Sequence, residues 1–243
     1  MSLVDALEGK LSFYNDSQQV IKNFHEYGFH IEKNFLEPEY CDLLVEQANQ
    51  LEAARDNNFR PALMPHKENK VFLEAMKNKK AVEILAALLG GNPMGVQTQF
   101  FYCKPGTRGF SLHQDNFYIQ ANPNVFISIW VALVDTSVSN GGLYIYPGSH
   151  KEGNLPVRKL NLDDNIYQDK NANNEETVVP EKYKSCDAII KKGSAIFIHG
   201  QIAHGSHNNQ SDHCRYSLLN LYVKEGEAFR SGNSAHREPI ALT

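Results

Sequence analysis

The sequence predicts a mainly β fold with a helical layer on its N-terminal side. Three features of the 243-residue chain carry that expectation. Residues 1–93 hold segments with apolar residues at helical spacing. From Met94 the chain breaks into short β-branched and aromatic runs, divided by Pro-Gly, Asn-Pro and Gly-Gly turns. No repeat and no Gly/Ser linker separates the two textures. Residues 1–243 therefore read as a single domain, with a β core at 94–225 and a C-terminal tail at 226–243.

Taken in order, "DSQQVIKNFHEYGF" places Val20, Ile21, Phe24 and Tyr27 near a helical period, and Gly28 offers a stop. "FHIEKNFL" alternates and predicts a strand. "EPEYCDLLVEQANQLEAAR" has a proline early, where its missing N–H does no harm, and sets Leu43, Leu44, Ala48 and Leu51 on one helical face. "NKKAVEILAALLGG" predicts a further helix ended by glycines. Strands are expected in "VQTQFFYC", "FSLHQDNFYI", "VFISIWVALV", "GLYIYPG", "SAIFIH" and "RYSLLNLYV", a pattern that points to a β sandwich or barrel. Residues 154–185, polar and of mixed charge, form an irregular insert that reads as a lid or a solvated loop.

A chain of this length buries most of its apolar surface without disulfide or metal staples. Its net charge is −4 and no stretch concentrates Lys and Arg, so neither nucleic acid nor an anionic membrane is an expected partner. Cys41, Cys103, Cys186 and Cys214 form no C-x-x-C pair, which speaks against a zinc ribbon and fits a reducing cytoplasm. The start has no basic segment followed by an apolar run, and no stretch approaches the ~18 apolar residues of a membrane span. The expectation is a soluble cytoplasmic protein acting on a small molecule. Its oligomeric state is left open.

The chemistry concentrates in two places. In "SLHQDNFY", His113 and Asp115 stand two apart, and in a strand they share a face. Downstream, "AIFIHGQIAHGSHNNQSDHCRYSLLNLYV" offers His199, His204, His207 and His213. Two histidines and one carboxylate with open coordination positions make the facial triad of non-haem Fe(II) oxygenases. Arg215 follows His204 by eleven residues and heads the last strand. Its planar fork suits the far carboxylate of a dicarboxylate co-substrate, and Ser206 offers a further hydrogen bond. Taken alone, H-x-D is weak and occurs often by chance. The third ligand stays open among the four histidines, with His204 favoured by Arg215 and His199 next.

The segments "LHQD", "WVALVDTSVSNGGLYIYPGSHKEG" and "HGSHNNQSDHCRYSL" together resemble the phytanoyl-CoA dioxygenase-like family of Fe(II)/2-oxoglutarate oxygenases. The resemblance runs from about Gln97 to Val223, more loosely through the N-terminal helices. It implies a double-stranded β-helix, a jelly-roll or cupin-like core, backed by N-terminal helices. It implies Fe(II) held by His113, Asp115 and His204, with 2-oxoglutarate and O₂ as co-substrates. It implies that Arg215, assisted by Ser206, takes the distal carboxylate of 2-oxoglutarate. Gln99 and Tyr102, in the strand before "KPG", and Trp130 are implied as further co-substrate contacts. Gln114 and Phe117 adjoin the ligands and are candidates for substrate contact. Halogenating relatives replace the acid of H-x-D by a small residue. Asp115 therefore favours hydroxylation of an unactivated C–H, with release of succinate and CO₂.

The family acts on acyl thioesters, amino-acid derivatives, compatible solutes and natural products, so the substrate is not fixed by the resemblance. Arg158 and Lys159 are followed by Asp163 and Asp164, and no basic cluster suits the phosphates of coenzyme A. A small free metabolite is the expectation. The alternative is a non-catalytic jelly roll, or a cupin-type metal protein that works without 2-oxoglutarate. Arg215 speaks against both.

Overall fold

The computed structural model describes residues 2–55, 61–160 and 175–242. The helical layer consists of α1 (Leu3–Leu7), α2 (Ser17–Tyr27), α3 (Pro38–Ala48), α4 (Glu52–Arg55), α5 (Lys70–Met76) and α6 (Lys79–Leu89). Two short strands run among them, β1 (Phe29–Glu32) and β2 (Ala62–Leu63). β3 (Pro93–Cys103) opens the β core, and a single helical turn, α7 (Asn116–Ile119), interrupts it. The remaining strands are β4 (Phe126–Ala132), β5 (Leu143–Ile145), β6 (Val157–Lys159), β7 (Glu175–Thr177), β8 (Cys186–Ala188), β9 (Ala195–His199), β10 (His204–Ser206) and β11 (Arg215–Lys224).

The helix boundaries follow their caps. Asp16 accepts from the Gln19 N–H at the start of α2, and Gly28 ends that helix at φ 83°, the left-handed region where only glycine is free of strain. Pro38 sits in the first turn of α3. On α3 the buried stripe is Cys41, Leu44 and Ala48. Leu43, expected on that face, is 38% exposed, because one residue before Leu44 is about 100° around the helix.

A six-stranded sheet runs β1-β9-β4-β11-β3-β2, and a three-stranded sheet runs β10-β5-β8; every pairing is antiparallel. This is the double-stranded β-helix. Strand alternation sorts the large sheet into two faces. Phe100, Tyr102, Ile127, Ile129, Val131, Phe197, Leu218 and Tyr222 turn toward Phe72, Ile84, Leu85 and the rest of the helical layer. Trp130, Ala132, Ile196 and Ile198 turn inward, against Leu143, Ile145 and Ala188 of the small sheet. Each buried Val, Leu, Ile or Phe side chain among them contributes about 1.5–3 kcal/mol of transfer free energy. Together they fix the sheet spacing that shapes the interior.

Two expectations need correction. "FSLHQDNFYI" is not a strand: it makes one bridge, at His113, and then turns into α7. The 154–185 insert is not wholly irregular, since β6 and β7 pair within it, and Arg158 is tied to Glu176 there. The central part of the insert, on which a lid would rest, lies outside the described residues. The tail, read only as a tail, returns to β3 through a bridge between Gly95 and Ile240.

Candidate active site

His204 opens β10, and His113 pairs with it across an isolated antiparallel bridge. The His113 N–H donates to the His204 carbonyl at 2.9 Å, and the His204 N–H returns the bond at 3.0 Å. Their ring centroids stand 4.4 Å apart. Asp115 reaches the same point by a different geometry from the expected strand alternation. The chain leaves the bridge at once, and Asp115 takes φ −58°, ψ −35° at the head of α7.

The neighbours of the ligands cause that turn. The Gln114 side-chain amide donates to the carbonyls of Gly153 and Gln201 and accepts from the Leu155 N–H. The Asn116 side chain binds the carbonyl and the N–H of Ala121, and its own N–H donates to Gly200. These bonds hold "HQDN" in place from both sides. Nε2 of His113 lies 3.5 Å, and Nε2 of His204 3.8 Å, from the same Asp115 oxygen. The three potential ligand atoms fall within 4.8 Å of one another.

Protonation is set by hydrogen bonds. Nδ1 of His113 lies 2.8 Å from the Ser111 carbonyl, and Nδ1 of His204 lies 3.2 Å from that of Ile202. A carbonyl only accepts, so each Nδ1 carries a proton, and each Nε2 is the nitrogen turned toward Asp115. Burial pushes the Asp115 carboxyl up. The two imidazoles and the Ser128 hydroxyl, which donates to its second oxygen at 2.5 Å, outweigh this and hold it well below the carboxylate range. Burial, then His113, lowers His204 to about 4. The cluster is thus an ionised carboxylate beside a neutral imidazole at His204, while at His113 burial is outweighed by the same carboxylate, which raises the pKa; both Nε2 atoms face the same point. Two imidazole nitrogens and one carboxylate oxygen on one side suit a ferrous ion.

The cluster opens into a cavity of 380 Å³ between the sheets. Gln99, Trp130, Ser206 and Arg215 line it together with the three ligands. Arg215 is 2% exposed, donates from Nη1 to the Ser217 hydroxyl at 2.7 Å, and lies 5.5 Å from the centre of the Trp130 ring. Its Nε has no hydrogen-bond partner, and no carboxylate of the described residues forms an ion pair with it. Burial lowers its pKa for want of a counter-charge. A buried guanidinium with orphaned donors is costly unless an anion joins it. Ser206 accepts from the Phe110 N–H at 2.8 Å, which leaves its hydroxyl proton to donate.

Three predicted contacts fall elsewhere. Tyr102 faces the helices, where its hydroxyl donates to the Ala48 carbonyl. It cannot share the cavity with Gln99, because residues three apart on a strand lie on opposite faces. Gln114 is spent on the bonds that shape the turn, and Phe117 is not among the lining residues. His199 faces Asn124, His207 pairs with Asp187, and His213 pairs with Asp212. Ser128 gives no signal of its own in the apolar run "VFISIWVALV", although it shares the inward parity of Trp130. The absence of a basic cluster in the sequence also misleads. Arg108, Arg215, Arg230 and Arg237 all line the cavity, against two acids, Asp115 and Glu175. They come from separate segments and meet only in the fold.

The family model for phytanoyl-CoA dioxygenase matches residues 24–217. The chain belongs to the phytanoyl-CoA dioxygenase family. That family uses iron, 2-oxoglutarate and O₂. A phytanoyl-CoA dioxygenase of Arabidopsis thaliana is 29% identical over 166 residues, 67% of this chain. The phytanoyl-CoA dioxygenase domain-containing protein 1 of Danio rerio is 30% identical over 170 residues, again 67%. Each match spans 55% of the relative's length. Among solved structures, the non-haem α-ketoglutarate-dependent carbocyclase SnoK from nogalamycin biosynthesis superposes with a TM-score of 0.73 at 16% identity, covering 92% of this chain and 90% of SnoK. No helix among the described residues is long and apolar enough to cross a membrane.

Proposed function

We propose that this phytanoyl-CoA dioxygenase family member is an Fe(II)- and 2-oxoglutarate-dependent oxygenase that hydroxylates an unactivated C–H of a small organic molecule. The observation that carries the reading is the pairing of two unfinished sites on one cavity. One is a three-ligand face on which both imidazole Nε2 atoms and one Asp115 oxygen converge. The other is a buried Arg215 whose charge no carboxylate of the described residues answers. A 2-oxo dicarboxylate completes both at once, and a metal protein working without it leaves Arg215 unexplained.

In this reading His113, Asp115 and His204 hold the metal. Ser128 and the carbonyls of Ser111 and Ile202 keep those ligands oriented and correctly protonated. Arg215 and Ser206 take the distal carboxylate of 2-oxoglutarate. Bound there, iron with 2-oxoglutarate and O₂ supplies the oxidising power, with succinate and CO₂ as co-products. Trp130, Leu143, Ile198 and Leu219 line the cavity and keep bulk water from it. The Asp115 carboxylate leaves no vacant ligand place of the kind a halide needs, which favours oxygen insertion. SnoK, a carbocyclase, is the reason to assay oxidation products broadly.

The test is oxygen-dependent conversion of 2-oxoglutarate to succinate by the Fe(II) protein. His113→Ala and Asp115→Ala are each expected to lower it at least a hundredfold. Succinate release unaffected by both changes would end the proposal.

A further inference from the structure

Arg215 accounts for one end of the cavity. The other end carries a second, independent set of donors. In the β3–β11 ladder Arg215 pairs with Cys103, whereas Gln97 pairs with Leu221, six residues further along β11. At ~3.3 Å per residue, that is about 20 Å away. There the tail brings Arg237 onto the cavity wall. Its Nε donates to Gln97 Oε1, and its Nη1 donates to the carbonyls of Arg230 and Ser231 at 3.2 and 3.4 Å. These bonds aim the guanidinium without neutralising it. No carboxylate of the described residues forms an ion pair with Arg237, although it is close enough to Asp115 to feel that charge.

Gln97 supplies the second observation. It is 1% exposed and lines the cavity, and its Nε2 has no hydrogen-bond partner. The orientation of the amide is not arbitrary, because Arg237 Nε can only donate and so must face Oε1. A buried NH₂ is thereby left with unmet donors beside a guanidinium with no counter-ion. Leaving a buried donor unmet is costly, and two such groups side by side ask for one acceptor-rich, negatively charged partner. Arg230 and Arg108, also on the wall, add to the positive field.

We propose that Arg237 and Gln97 bind an oxyanion of the organic substrate, a carboxylate or a phosphate monoester, at the Gln97–Leu221 end of the cavity, beside Asp115 and away from Arg215. The inference rests on the oxygenase reading. It makes the substrate an acid, held by its charged end while the remainder reaches the ligand face. Arg237 is thus a specificity residue contributed by the tail.

The experiment uses anaerobic Fe(II) protein with 2-oxoglutarate, and calorimetry with three matched sets of probes. These are C4 to C12 alkanoates and arylalkanoates, their neutral amides, and alkyl phosphates of the same lengths. Submillimolar binding is expected for at least one oxyanion, with its amide at least twentyfold weaker; the better of acid and phosphate identifies the head group. Arg237→Gln is expected to weaken that oxyanion at least twentyfold and to erase the preference over the amide, with Arg237→Lys in between. Amides binding as well as oxyanions, no oxyanion binding, or Arg237→Gln binding it as the parent does, would each overturn the inference. Should Arg237→Gln not fold, the comparison of oxyanion with amide on the parent protein still decides. Absence of the visible band that 2-oxoglutarate gives on chelating Fe(II) would instead count against the oxygenase reading.

Discussion

Ser128 is the residue on which the ligand face depends most without belonging to it. Its hydroxyl holds one Asp115 oxygen and leaves the other to face both imidazoles. Ser128→Ala removes that bond at a fully buried position and frees the carboxylate to rotate. Groups that orient metal ligands are typically worth ten- to a hundredfold in affinity. Mn(II) titration of Ser128→Ala should show a Kd raised by about tenfold, and an unchanged Kd would remove Ser128 from the site. At this scale the sequence was legible where residue type and spacing both signalled. His113, Asp115, His204 and Arg215, which the resemblance picks out by H-x-D and H-G-S followed by Arg, do meet around one cavity. Ser128 was hidden, since one hydroxyl among apolar residues differs little from ordinary strand sequence. Tyr102 misled for the converse reason. An aromatic with a hydroxyl resembles a ligand contact until strand parity assigns its face.

Among the elements, the segment 109–119 couples the ligands to the small sheet. It lies against β10 so closely that a Cβ at Gly109 would stand 1.9 Å from the Ser206 carbonyl oxygen, with no flexible side chain to yield. Gly109→Ala must push this segment off β10, and the His113–His204 bridge opens with it. The expected loss is about 1–3 kcal/mol, read as a drop of roughly 3–10 °C in Tm for a chain of this size. Metal affinity should fall in step. A variant that keeps both would show that the two segments are not so tightly coupled. The strand expectation for "FSLHQDNFYI" failed here for a definite physical reason. Its alternation is genuine, but Gln114 and Asn116 find partners at Gly153, Leu155, Gly200 and Gln201, residues distant in sequence. Side-chain hydrogen bonds to remote backbone override local pattern, and no window around the motif contains them.

At the scale of the whole molecule, the division into helical layer and β core was legible because hydrophobic period changes at Met94. The convergence of arginines was not, because it depends on where the tail returns. The seam between layer and core carries a further consequence. His199, at the end of β9, is 4% exposed and stands between Phe24 of α2 and His150, with ring centroids 4.8 Å apart for the two histidines. Burial, then the neighbouring His150 and His25, lowers its pKa to about 3, and burial also lowers His150. In the unfolded chain each imidazole titrates near its ordinary ~6.5. Between about pH 6.5 and 3 the unfolded state therefore binds protons that the folded state refuses. Stability is full above that window and falls as pH drops through it, by at most about 1.4 kcal/mol per pH unit for each such group. His204 adds a term of the same sign in metal-free protein, since its pKa is also lowered. Urea unfolding of the metal-free protein from pH 7.5 to 4.5 should show this slope. In His199→Phe, whatever the change in absolute stability, the slope should be shallower by up to about 1.4 kcal/mol per unit. An identical slope in parent and variant would mean that His199 is protonated in the fold, and that the seam tolerates a charge.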